Sequence, residues 1–87
     1  QKTREIKDPD IKKLLNRCFD ALNNSPLQTY PETQDIDITL NNTIDNLCEK
    51  IIEGNREQIE ALSNQVIYTI KERNLIIKVA RLNNFKN

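Results

Sequence analysis

The stretch Ile51–Leu62, with the sequence IIEGNREQIEAL, contains the only glycine of the chain and decides between two folds. Gly54 and Asn55 either end one helix and start another, or a single long helix continues through them. Gly54 suits the left-handed position that follows a helix, and Asn55 with Gln58 matches a capping box. The local chemistry of this stretch therefore fits a break.

The spacing of the apolar residues favours a continuous helix instead. From Leu40 onward they recur at steps of three and four with no slip at the glycine, and only Asn55 and Arg73 interrupt them. A turn has no need to preserve this phase, whereas a helix must, and one interior glycine costs only about 1 kcal/mol. We therefore predict one helix over residues 39–83, roughly 68 Å long, and keep a bend or break at 54–55 as the alternative.

A shorter amphipathic helix is predicted over residues 9–24. Asp8 can accept hydrogen bonds from the first free amides, and Pro9 is favourable at the first helical position. From Ile11 the apolar residues follow the spacing i, i+3, i+4, i+7, and a run of asparagines with Ser-Pro ends the pattern. The other segments are predicted to be a flexible N-terminus at 1–8, an irregular linker at 25–38 and a frayed C-terminus at 84–87.

The composition agrees with these elements and gives the fold class. The 87 residues are 37% apolar and 30% charged, with one glycine and three prolines, which suits long helices better than a turn-rich β-fold. We predict an all-α chain in which a short amphipathic helix, a linker and one long helix pack in a multi-helix bundle. The alternative is a compact three-helix adaptor that binds peptides, with helices at 9–23, 39–53 and 56–83.

The residue types argue against an enzyme and against bound cofactors or metals. The chain has no histidine for acid–base catalysis, and a single glycine excludes phosphate-binding glycine-rich loops. Asp35 and Asp37 form the only tight carboxylate pair, which helix capping explains. Cys18 and Cys48 match no metal or redox spacing, so we expect two reduced thiols in the core and an intracellular protein. We expect no membrane span, because no segment approaches the roughly 18 consecutive apolar residues that a span needs.

The last part of the long helix is predicted to be the partner interface. A second apolar line appears there on the side opposite the main stripe, and a chain of this size cannot bury both faces. Arg73 on the main stripe could fix the register and number of partners, or extend its charged end to the surface. We expect other helical subunits of a hetero-oligomer, in a eukaryotic scaffold, to contact the residues Ile59, Leu62, Val66, Tyr68, Ile70, Arg73, Leu75, Ile76, Ile77, Val79 and Leu82.

Nucleic-acid binding is the main competing function. Lys71, Lys78, Arg81 and Lys86 fall on one side of the predicted long helix and could follow a line of phosphates. The formal net charge of the chain is zero, however, and the sequence offers no aromatic platform for bases. The sequence therefore favours a protein partner over a nucleic acid, and it contains no motif that identifies a family.

Overall fold

The computed structural model describes residues 8–26 and 29–86, and that part of the chain is helical with no strand. The predicted all-α class is therefore confirmed. The flexible segment predicted at 1–8 lies outside the described residues except for Asp8, and the helix continues through 84–86, where a frayed end was expected. Helix α1 spans Pro9–Asn24, a 3₁₀ turn spans Pro31–Thr33, α2 spans Gln34–Glu53 and α3 spans Arg56–Lys86.

Helix α1 begins where the sequence predicts because Asp8 caps it. The Asp8 Oδ1 atom accepts hydrogen bonds from the backbone N–H of Asp10 at 2.9 Å and of Ile11 at 3.4 Å. The same carboxylate forms an ion pair with Arg56 at the start of α3, and this bond lowers the pKa of Asp8 below its ordinary value. The start of α1 therefore lies beside the start of α3.

Helices α1 and α3 run parallel, and α2 runs antiparallel to both. At the far end of α1, the Ser25 hydroxyl donates a hydrogen bond of 2.9 Å to Asn74 Oδ1, well along α3. Helix α2 starts near that same level, because Asp37 in its first turn binds Arg73 of α3. From there α2 runs back to the turn at Gly54. Both shorter helices pack against α3 in an up-down-up bundle that measures 50 × 22 × 20 Å.

Gly54 ends α2 and reverses the direction of the chain. Its backbone is left-handed, with φ 75° and ψ 26°, and its N–H donates to the Lys50 carbonyl oxygen at 2.9 Å. Asn55 then caps α3, because its Oδ1 atom accepts the N–H of Gln58 at 3.2 Å. A left-handed residue that satisfies the last carbonyls of a helix is a common helix stop.

The preferred prediction of one continuous helix over residues 39–83 is therefore wrong, and the alternative, a break at 54–55, is correct. The spacing of the apolar residues does not distinguish one continuous helix from two antiparallel helices, because each helix of an antiparallel pair also turns an apolar face toward the other. Two side chains of α2 near the turn are exposed and not buried: Ile52 is 62% exposed, and Cys48 is exposed as well. Of the two thiols predicted in the core, only Cys18 is buried.

Replacing Gly54 with alanine is expected to destabilise the bundle by about 1–2 kcal/mol, because a side chain is unfavourable in the left-handed region. Gly54→Asn is the matched control, since asparagine tolerates this conformation and should cost less. Urea unfolding followed by circular dichroism measures both variants. A gain in stability for Gly54→Ala would mean that the helix continues through the glycine.

The linker predicted at 25–38 is shorter in the structure, because α2 begins at Gln34. Thr33 is fully buried, and its Oγ1 atom accepts the N–H of Tyr30 at 3.1 Å. The same oxygen lies 3.0 Å from the Tyr30 carbonyl oxygen and 3.0 Å from Asp37 Oδ2. These polar contacts hold the 3₁₀ turn against the first turn of α2.

The hydrophobic core lies on one face of α3 and is closed by the chain itself. Further along α3, Ile77 and Ala80 are each 1% exposed, at the level where the 3₁₀ turn packs against this helix. A chain that doubles back at the glycine can thus cover nearly the whole main stripe. The principal cluster consists of Ile11, Leu15 and Cys18 from α1, Leu40 and Leu47 from α2, and Ile59, Val66 and Ile70 from α3.

Candidate functional site

The predicted interface residues divide into two sets on opposite sides of α3. The inner set is covered by α1, α2 and the 3₁₀ turn, so the expectation that partners must cover the main stripe is corrected. The inner set comprises the buried residues Ile59, Val66, Ile70, Arg73 and Ile77 and the half-buried Leu62, while Tyr68, Leu75, Val79 and Leu82 are exposed and Ile76 is half-buried.

We call the exposed set Tyr68, Leu75, Val79 and Leu82 the outer line. Each of these side chains is at least 50% exposed, and they follow one another at intervals of seven, four and three residues. Because an α-helix has 3.6 residues per turn, this spacing places them on one side of α3. Single exposed apolar side chains are ordinary, whereas a contiguous apolar line marks a surface for interaction.

A concave groove lies beside the outer line, between α3 and the 3₁₀ turn. It has a volume of about 260 Å³ and is lined by two residues of the outer line together with Ile76 and Ala80. Glu32 and Asn83 complete its lining. Sequence reasoning did not find Glu32, because it comes from a segment with no helical period that reaches α3 only in the folded chain.

A buried polar cluster surrounds Arg73 on the inner side of α3. The Arg73 side chain is 7% exposed, and its Nε atom donates to Asp37 Oδ1 at 2.5 Å. Its Nη1 atom donates to Ser25 Oγ at 3.0 Å and to the Pro26 carbonyl oxygen at 2.6 Å. One side chain of α3 thereby binds the end of α1, the connecting segment and the start of α2.

This geometry corrects one sequence-based explanation of Arg73. The side chain does not extend to the surface, because it is 7% exposed and its guanidinium group faces Asp37 inside the bundle. Asn55, the other polar residue on the predicted stripe, caps α3 instead of facing a partner. Both polar interruptions of the stripe are explained by contacts within the chain.

The charged residues considered for other functions are placed as follows. Asp37 is bonded to Arg73 and Thr33, whereas Asp35 is exposed on the first turn of α2. Within residues 8–26 and 29–86, no three His, Cys, Asp or Glu side chains lie close enough together to hold a metal ion. Lys71 and Lys78 are exposed beside the outer line, Arg81 donates to the Tyr30 hydroxyl at 3.2 Å, and the side chain of Lys86 lies outside the described residues.

Comparison with known proteins gives no relative for this chain. No protein-family model matches it, no curated protein matches it, and no solved structure matches it. In the part of the chain that the structure describes, no helix has the length and apolar character required to cross a membrane.

Proposed function

We propose that this chain is a non-enzymatic, intracellular assembly subunit whose outer line on α3 docks against a helix of a neighbouring subunit. The observation that carries the proposal is the exposure of Tyr68, Leu75, Val79 and Leu82 beside a core that is already closed. These side chains contribute little to the bundle that the chain forms alone. Their burial by another helix would remove exposed apolar side chains from water.

The spacing of the outer line supports a helix as the docked element. Tyr68, Leu75 and Leu82 are separated by seven residues each, and Val79 lies four residues after Leu75. Leu75, Val79 and Leu82 thus follow the steps of four and three residues by which one helix packs along another. From the sequence we expected the neighbouring subunits to be other proteins, in a hetero-oligomer. The proposal requires only that the neighbouring subunit present a helix.

Affinity co-purification from the native source tests this proposal. A tagged Leu75→Asp/Val79→Asp variant is expected to retain at most about a tenth of the specific partners, because two apolar anchors become charged. The matched control is Ile52→Asp, which charges an equally exposed apolar residue on α2. Circular dichroism confirms that each variant is folded, and partners recovered equally with all three proteins would contradict the proposal.

A second candidate function is a three-helix adaptor that binds a short peptide, and the bundle with its apolar groove favours this alternative. A short peptide would occupy the groove at Ile76 and Ala80 and leave Tyr68 uncovered, because Tyr68 does not line the groove. A docked helix would cover Tyr68 as well. Loss of partners with Tyr68→Asp therefore indicates a helix along the outer line, and unchanged recovery indicates a peptide in the groove.

A further inference from the structure

The turn at Gly54 separates two parts of the chain that bind each other. We call the part before it, residues 8–26 and 29–53, the arm. Both helices of the arm pack against α3, and between the described residues of α1 and α2 no two Cα atoms lie within 8 Å of each other. The arm therefore has its packing partner on the other side of the turn. Polar contacts between the arm and α3 join Asp8 with Arg56, Ser25 with Asn74, Asp37 with Arg73, and Tyr30 with Arg81.

These contacts require two complementary parts, but the parts need not belong to one molecule. If the turn at Gly54 opened, the arm of one copy would bind α3 of a second copy through the same atoms. The arm of the second copy would bind α3 of the first. Exchange of an identical element in this way needs no new complementary surface. The remaining requirement is that α2 and α3 can join as one helix.

The facing sides of α2 and α3 agree in phase across the turn. Asp37 and Arg73 contact each other and are 36 residues apart, which is about ten turns of an α-helix. Ile44 and Leu62 both pack against the core and are 18 residues apart, which is about five turns. On one helix that continued through Gly54, the two members of each pair would point in the same direction. A hairpin does not require this agreement, because each of its helices turns about its own axis.

Two opened chains do require a common facing side. When two such continuous helices lie antiparallel, α2 of each copy packs along α3 of the other. Asp37 of one copy then meets Arg73 of the second copy, as it does within the single chain. Different facing sides would prevent the two halves of one helix from binding the same neighbour. The phase that runs through Gly54 therefore fits an exchanged pair of chains.

The residues of the turn allow a continuous helix. Glycine adopts both the left-handed conformation that Gly54 has in the turn and the right-handed helical one. Asn55 is an ordinary, moderately unfavourable residue inside a helix. Only a proline would block the helix here, because it removes a backbone hydrogen bond and collides with the preceding turn. The two-residue turn can therefore act as a hinge.

We propose that this chain forms a dimer by exchanging its arm with a second copy, so that residues 34–86 of each copy become one continuous helix. The exchanged dimer repeats the contacts of the closed bundle between two chains. Its population depends on the hinge and on the protein concentration, since short hinges favour such exchange. The inference goes beyond the proposed function, because the outer line lies on the other side of α3 and takes no part in the exchange.

Gly54→Ala tests the hinge. Alanine is unfavourable in the left-handed turn and favourable inside a helix, and each dimer contains two hinges. Dimerisation of the purified full chain is therefore expected to strengthen at least about a hundredfold. Sedimentation equilibrium after refolding from urea measures this change, and at concentrations too low for dimerisation the variant remains a less stable monomer. Gly54→Asn is the matched control, because asparagine tolerates the turn, and its effect should be at least about tenfold smaller.

Arg56→Pro, added to Gly54→Ala, tests the hinge in the opposite direction. Arg56 is the first residue of α3, where proline is favourable, whereas a proline inside a continuous helix breaks it. The added substitution is expected to weaken dimerisation at least about a hundredfold. Arg56→Ala in the same background is the matched control, since it loses the same ion pair with Asp8 without blocking the helix. It should change the dissociation constant by no more than about threefold.

Disulfide trapping distinguishes an exchanged dimer from a dimer formed through any other surface. The side chains of Ser25 and Asn74 meet at 2.9 Å, so cysteines at both positions lie close enough to be linked by mild oxidation. The two cysteines are placed in a Gly54→Ala/Cys48→Ser background, which removes the exposed natural thiol. In the isolated dimer fraction, exchange joins residue 25 of one copy to residue 74 of the other. A denaturing gel without reductant then shows a covalent dimer, whereas the monomer fraction shows single chains.

Links between chains in the dimer fraction, together with the loss of dimer caused by Arg56→Pro, support the exchange. A Gly54→Ala chain that stays monomeric at millimolar concentration would overturn it. A dimer in which residues 25 and 74 are linked within one chain would overturn it as well. Neither result affects the docking function, because Leu75→Asp/Val79→Asp leaves the hinge unchanged and is read by the recovery of partners.

Discussion

Replacing Arg73 with alanine is expected to lower the free energy of unfolding by about 3 kcal/mol. The substitution leaves Asp37, whose side chain is 22% exposed, beside a cavity and without its guanidinium partner. It also removes the donor that binds Ser25 Oγ and the Pro26 carbonyl oxygen. Loss of one member of a buried ion pair costs about 3–5 kcal/mol, and the partial exposure of Asp37 places the effect at the lower end.

Urea unfolding of Arg73→Ala measures this effect, and two further variants identify its cause. Arg81→Ala is the matched control, because Arg81 is an exposed arginine that donates a single described bond to Tyr30 and should cost less than about 1 kcal/mol. The double variant Arg73→Met/Asp37→Leu should recover at least half of the loss, since apolar residues often replace a buried pair at little cost. Equal losses for the two alanine variants would show that the cluster does not stabilise the bundle.

Replacing Ile70 with alanine is expected to lower the free energy of unfolding by about 3–4 kcal/mol. Ile70 is 1% exposed and belongs to the cluster that joins all three helices. Its truncation removes buried apolar surface and leaves a cavity that the surrounding helices fill only in part. For a domain of this size, the melting temperature should fall by roughly 15–25 °C.

Thermal unfolding of Ile70→Ala and Leu75→Ala compares the two faces of α3 directly. Leu75 is 63% exposed, so its truncation should change stability by no more than about 0.5 kcal/mol in dilute protein. Dilution matters because Leu75 lies on the proposed docking surface. If the two variants lost equal stability, the division of α3 into an inner and an outer face would be incorrect.

Most of the helical content could be predicted from local sequence alone. The Asp8 cap and Pro9 determine the start of α1, because both act within the first turn of the helix. The apolar period placed Leu40, Ile59 and Ile70 on inward faces, and all three are buried. The second apolar line was also visible in the sequence, since helical spacing depends only on residue order.

The direction of the chain at the glycine was decided by tertiary packing. Residues 54–55 carry signals for a stop, and the apolar phase carries a signal for continuation, so the local evidence conflicts. The folded chain resolves the conflict because an antiparallel α2 buries both stripes at once, which one straight helix cannot do within a single chain. The prediction that weighed phase above capping was wrong for this reason.

The polar contacts of the candidate site also depend on tertiary structure. Arg73 binds Asp37 across 36 positions and Ser25 across 48, and no local period records partners so distant. Glu32 lines the groove beside Leu75 and Val79, although these residues are distant from it in the sequence. Residue order by itself determined the helices and their two apolar faces, because these follow from the spacing of neighbours. Folding alone decided which face is covered, because burial requires distant segments to meet.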